Sequence, residues 1–174
     1  MHPTRQDRPQ KLAQWQARLA RETISVPRDR GVLWSGVGAG VAKRLAQTMG
    51  LVTLEMTPLG ASLDSGMLKD ELVRDFGDTW IAEKRLVFKM VSTKFAESLT
   101  GKVTIFLPET FARPRNGASG SFAFNAKIIW DEFKEADFGD PRVTLHKITS
   151  MRLCRVQGER IVSDVFMSAS NQLH

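Results

Sequence analysis

Three glycines, Gly36, Gly38 and Gly40, follow an apolar run that ends in Trp34, and an acid, Glu55, closes the next apolar stretch. A glycine-rich turn that opens a helix leaves backbone N–H groups without partners and offers them to a phosphate. The dinucleotide-fold fingerprint G-x-G-x-x-G requires its third glycine at position 41, where Val41 stands, and no second half with a matching pattern follows. The turn therefore suits a phosphate but argues against a hydride-transferring enzyme. Other chemistries lack their parts. His2, His146 and His174 are scattered, two of them near the termini, which disfavours a histidine base or a metal site. Cys154 is the sole cysteine, so neither an internal disulfide nor a multi-cysteine zinc site can form.

The elements that would carry these residues follow from apolar spacing. Leu12, Trp15 and Leu19 recur at helical intervals among basic and polar residues, predicting an N-terminal helix that ends before Val26-Pro27. Residues 1–30 are read as a helical arm and 31–174 as the functional domain. Strands are expected at Val32–Ser35, Val52–Glu55, Val103–Leu107 and Val143–Ile148. Helices are expected at about Ala39–Met49 and Thr79–Leu99, the second through Trp80, Leu86, Val87, Val91 and Phe95, with weaker helical periodicity over Gly60–Phe76. Leu153–Val156 and Ile161–Phe166 flank Gly158 as a terminal hairpin. Strands alternating with helices predict an α/β fold with a mainly parallel sheet of about four strands. In such sheets the ligand crevice lies beyond the carboxyl ends of the strands, where Trp34 and Glu55 would stand.

With 42% apolar residues, a chain of 174 residues can bury one good core. A net charge of +6 favours an anionic partner without choosing among phosphate, nucleic acid, acidic protein and headgroups. No run approaches the roughly 20 apolar residues of a spanning helix, and the start lacks a signal peptide's apolar segment. Export would need a dedicated secretion system or a larger polypeptide.

Three blocks in order are more specific: Val32-Leu33-Trp34-Ser35, Thr53-Leu54-Glu55-Met56-Thr57, and Phe88-Lys89-Met90-Val91-Ser92-Thr93-Lys94-Phe95-Ala96-Glu97. Together they resemble the ADP-ribosyl cyclase family of NAD glycohydrolases, with its Leu-Trp-Ser and Thr-Leu-Glu-x-Thr strand ends and its helix Trp-Lys-x-Val-Ser-x-x-Phe-Ala-Glu. Phe88 stands where that family has its second active-site tryptophan, and the disulfides of the animal members are missing, as they are from bacterial toxin domains of the same type. The resemblance implies cleavage of the nicotinamide N-glycosidic bond of NAD or NADP, with no metal or other cofactor. It implies Glu132 as the carboxylate beneath the ribose, with Glu135 in reserve, since aligning the segment Asp131 to Glu135 requires one inserted or deleted residue. Trp34 would stack on the pyridinium and Phe88 close its other side. Glu55 would accept the carboxamide N–H, and Ser35, Thr57 and Ser92 would serve phosphate and ribose. A toxin of this type acts in the cytoplasm of a target cell after secretion as cargo, and implies an immunity protein over the mouth of the site, acidic against a basic toxin.

Plainer roles stand beside each of these. Trp34 and Phe88 also suit an ordinary core, Glu55 a solvated strand end, and Glu132 and Glu135 a solvated charged face. Two other functions compete. One is a basic toxin that binds or cuts RNA through Arg113, Arg115, Lys127, Arg152, Arg155 and Arg160. The other is a catalytically inactive NAD-binding module.

Overall fold

Apolar periodicity accounts for most elements of the computed structural model, which describes residues 4, 6–34, 36–109 and 148–168. In chain order these are α1 (Arg8–Arg21), β1 (Val32–Trp34), α2 (Ala39–Met49), a 3₁₀ turn (Leu54–Met56), α3 (Pro58–Ser65), α4 (Met67–Phe76), α5 (Ala82–Ser98), β2 (Gly101–Pro108), β3 (Ile148–Gln157) and β4 (Arg160–Ser168). Sheet order is β1-β2-β3-β4, parallel up to β3 and antiparallel at β4. The expected α/β fold, with a mainly parallel four-stranded sheet after an N-terminal helix, is what forms.

Both faces of the sheet are covered, so β2 is an almost unbroken apolar run and not an alternating one. On one face Leu33, Val103, Ile105, Leu107, Met151 and Leu153 pack with Phe95 and Leu99 at the end of α5. On the other, Val32, Phe106, Cys154 and Val156 pack with Ala42 and Ala46 of α2, whose small side chains let the helix approach closely. Thr104 shares this second face, between Val32 and Arg152 in register, and buries a hydroxyl with no hydrogen-bond partner among the described residues.

A third cluster is helical. Leu59, Leu63, Leu68, Leu72, Phe76, Val87 and Val91 join Trp15 and Leu19 of α1. Trp15 Nε1 donates to Asp75 Oδ2 at 2.9 Å, Lys11 Nζ pairs with Asp75 Oδ1 at 3.1 Å, and Arg18 pairs with Glu71 while lying over the Trp15 ring. Residues 8–21 thus share the core of the helices that follow.

Four expectations change. Val52–Glu55 is no strand: only Val52 bridges to Gly31, and Leu54–Met56 winds into a 3₁₀ turn because Thr57-Pro58 starts a helix immediately afterwards. The strand expected at Val143–Ile148 falls outside the described residues except for Ile148. That residue opens β3, which then runs through Leu153–Val156, because Ile148 and Ser150 are paired with neighbouring strands on either side of Thr149, which sits at the register shift opposite Gly101 and Lys102. The periodicity over Gly60–Phe76 resolves into two helices broken at Gly66. Finally, α5 begins at Ala82. Its buried stripe is Val87, Val91 and Phe95, whereas Trp80 precedes the helix and Leu86, one residue off the stripe, is exposed. Among the described residues, no helix is long and apolar enough to cross a membrane.

Candidate functional site

Trp34 is the last residue of β1, half-buried and in register with Phe106. Beyond it the chain turns through Gly36 and Gly38, at φ of 72° and 84°, before α2 begins. Those angles lie in the left-handed region that residues with a Cβ avoid, so two of the three sequence glycines are there for the turn. Gly40 lies inside α2.

A backbone ladder brings Glu55 to the same place. Val52 N–H donates to Arg30 O at 2.7 Å and Val32 N–H to Val52 O at 2.9 Å, laying the segment beside β1. The chain then coils, with Met56 N–H donating to Thr53 O at 3.2 Å and Thr57 N–H to Leu54 O at 3.0 Å. Thr57 is the N-cap of α3: its hydroxyl accepts from Gly60 N–H at 3.1 Å and donates to Leu54 O at 2.6 Å. Gly60 is demanded by proximity, since a Cβ there would lie 1.9 Å from Leu54 O. Locked in this way, the turn directs Glu55 at Trp34, and the indole Nε1–H donates to Glu55 Oε2 at 3.1 Å. The pair combines a π-face with a carboxylate at the carboxyl end of a parallel strand. It can hold a flat cationic ring and accept one further hydrogen bond, because a carboxylate has more acceptor positions than one indole uses.

Other predicted residues lie elsewhere. Phe88 is half-buried on α5, packed on the helical cluster, and its ring meets Trp80 at 5.2 Å between centroids with a 55° tilt. Thr57 and Ser92 are buried. Ser35, Glu132 and Glu135 lie outside the described residues, as do Arg113, Arg115 and Lys127 of the competing RNA reading. Arg152 of that reading is bidentate to Asp164, Nε donating to Oδ1 at 2.9 Å and Nη2 to Oδ2 at 2.5 Å, a partnership that raises the guanidinium's pKa and holds the Asp164 carboxyl below the usual carboxylate range. Burial pushes the neighbouring Cys154 thiol up to about 11. Arg152 and Asp164 face each other across β3 and β4, while Cys154 belongs to the cluster beneath α2 on which Trp34 also packs.

Sequence reasoning passed over Thr57's capping role and the exposed indole of Trp80. Thr-Pro at a helix start was a readable sign of the first, since Thr caps and Pro suits the first helical position. Nothing local marks the second.

No protein-family model matches the sequence, and no curated protein does. Solved structures do. An ADP ribosyl cyclase complexed with N1-cIDPR is 22% identical at a TM-score of 0.53, covering 87% of this chain and 60% of that one. Aplysia cyclase complexed with the substrate NGD and the product cGDPR is 21% identical at 0.51, covering 87% and 59%. Porcine CD38 with a covalent intermediate, ribo-F-ribose-5'-phosphate, is 18% identical at 0.52, covering 81% and 59%. The chain thus spans about 60% of the length of the first of these structures. Identity this low speaks to architecture and not to activity. On that footing, the chain has the fold of the ADP-ribosyl cyclases.

Proposed function

We propose that this chain hydrolyses NAD or NADP at the nicotinamide N-glycosidic bond, releasing nicotinamide and an ADP-ribose product. The observation that carries the reading is the 3.1 Å hydrogen bond from Trp34 Nε1 to Glu55 Oε2, which gathers a π-face and a carboxylate at the ligand-binding edge of an α/β sheet. The Trp34 ring stacks on the pyridinium, a contact worth about 0.5–2 kcal/mol. The acceptor capacity that Glu55 retains takes the carboxamide N–H. Rupture of the C–N bond sends its electron pair to the ring, so the cationic pyridinium leaves as neutral nicotinamide and positive charge develops on the ribose. Glu132, with Glu135 as the alternative, is the carboxylate that stabilises that charge. Water adds to the anomeric carbon and a proton departs to solvent. Ser35 and the Gly36–Gly38 turn are assigned to the phosphates, and Thr57 and Ser92 are the further hydroxyls assigned to phosphate and ribose.

The biological setting we propose is an interbacterial toxin domain, delivered as cargo into a target cell and neutralised in its producer by an acidic immunity protein. Free nicotinamide is measured on incubating the purified protein with NAD. Release establishes the activity, and its absence despite NAD binding leaves an inactive NAD-binding module. In cells expressing the chain without a protector, NAD depletion at growth arrest with intact ribosomal and transfer RNA is the expected result. Fragmented RNA with normal NAD refutes the proposal.

A further inference from the structure

Glu55 sits inside a turn that is closed twice between the same two residues. Met56 N–H donates to Thr53 O at 3.2 Å, and in return Thr53 N–H donates to the thioether Sδ of Met56 at 3.4 Å. The second bond puts Met56 where a capping box ordinarily has Glu or Gln, whose side chain reaches back to the N-cap N–H. A thioether is a weak acceptor. It counts here because Thr53 is fully buried: water cannot take the place of the sulfur, and a buried donor without an acceptor is penalised by its whole desolvation. The side chains flanking Glu55 are anchored apart. Leu54 packs against the helical cluster and the sheet face under α5, whereas Met56 packs in the cluster beneath α2, the one that Trp34 joins. Leu could supply that apolar anchor as well as Met does. It could not accept the hydrogen bond.

We infer that Met56 is a positioning residue for Glu55: by accepting the Thr53 N–H, its sulfur fixes the turn that aims the carboxylate at the Trp34 indole. This rests on the function proposed above for the role of Glu55, and adds the residue that holds Glu55 to it. Met56 itself touches no substrate and acts through the backbone of the turn.

The test sets Met56→Leu, which keeps the apolar bulk and loses the acceptor, against Met56→Gln, which keeps an acceptor and loses the apolar bulk. A packing role makes Gln the damaging change, and the positioning role makes Leu the damaging one. Thermal unfolding verifies that both variants are folded. Met56→Leu is expected to lower kcat/KM for nicotinamide release from NAD about fivefold, and Met56→Gln to stay within about twofold of the parent. In a Glu55→Ala background Met56→Leu should bring no further fall, since the group it positions is gone. A readout that needs no turnover runs alongside: hydrogen exchange of the Trp34 indole N–H, followed by NMR, should quicken about fivefold in Met56→Leu and not in Met56→Gln. Any other order of the two variants overturns the inference and leaves the proposed function standing, as does an equal fall in the Glu55→Ala background. A parent protein that releases no nicotinamide removes the proposed function, and the exchange rates then decide the positioning of Glu55 by themselves.

Discussion

At the scale of single residues, the indole N–H of Trp34 and the π-face of the same ring do separable jobs. Trp34→Phe keeps a ring over the site but takes the donor from Glu55, so that carboxylate loses its anchor. We predict that nicotinamide release falls by about tenfold, the equivalent of one hydrogen bond to a charged group, with circular dichroism unchanged. Trp34→Ala should lose more activity and some stability, because the ring also packs beneath α2. Should Trp34→Phe match the parent rate, the Trp34–Glu55 pair is scaffold and not machinery. For the ribose carboxylate, Glu132→Gln should cost on the order of 2.7–4 kcal/mol in the barrier while substrate still binds, and Glu135→Gln should be nearly silent. The reverse result would exchange the two acids, and two active variants would discard the site. Trp34 and Glu55 were legible in sequence because each ends an apolar run, which is where a strand delivers its last side chain. Their direct bond was not, since it depends on a turn that forms only when α3 is capped.

At the scale of elements, helices showed themselves best where one face is apolar: α2 and α1 announce their cores through residues three and four apart. Local pattern failed at Val52–Glu55, an extended-looking run that a single bridge and a helix start convert into a coil. It also fell short at β3, where the strand begun at Ile148 continues through the stretch between the two expected runs, held by Ser150 pairing with Lys102 and Ser168. The coil stands against α3 with no room to spare. Gly60→Ala would drive a methyl into Leu54 O, and the turn that carries Glu55 must shift. A loss of about 1–3 kcal/mol in denaturant unfolding is expected, together with reduced nicotinamide release out of proportion to the unfolded fraction. Activity and stability both at parental values would show that the turn yields without moving Glu55. The opposite sign is expected on β2. Thr104→Val removes a buried, unpartnered hydroxyl at almost constant shape, and a gain of about 1 kcal/mol should appear as a higher denaturant midpoint.

For the molecule as a whole, α1 packs as an arm whose Trp15 and Leu19 enter the core of the helices that follow. Trp15→Ala would empty a site only 3% exposed and take the indole donor from Asp75 Oδ2, leaving that carboxylate to Lys11, so a loss of about 3–5 kcal/mol should show in the unfolding midpoint. Alkaline stability follows from Cys154. Its thiol is raised from 9.0 to about 11 by burial, so the folded chain keeps a proton that the unfolded chain gives up. Stability present below about pH 9 should therefore decline toward pH 11, and Cys154→Ala should flatten that limb. With no tyrosine in the chain, no phenol titrates across the same window. An identical slope in the variant would assign the decline to lysines. The sheet order carries a consequence for timing. Trp34 and Phe106 are partners in register, yet every helix from α2 to α5 lies between them in the chain, and β3 in turn pairs with β2 across a second long separation. Contacts so distant along the polypeptide are slow to close, and they close late in synthesis. A nascent chain halted before Ile148 has already made Trp34 and Glu55 but not β3, the strand that flanks β2. Until β3 is made, β2 has β1 as its one partner strand among the described residues, and the sheet whose edge carries Trp34 stands half-built.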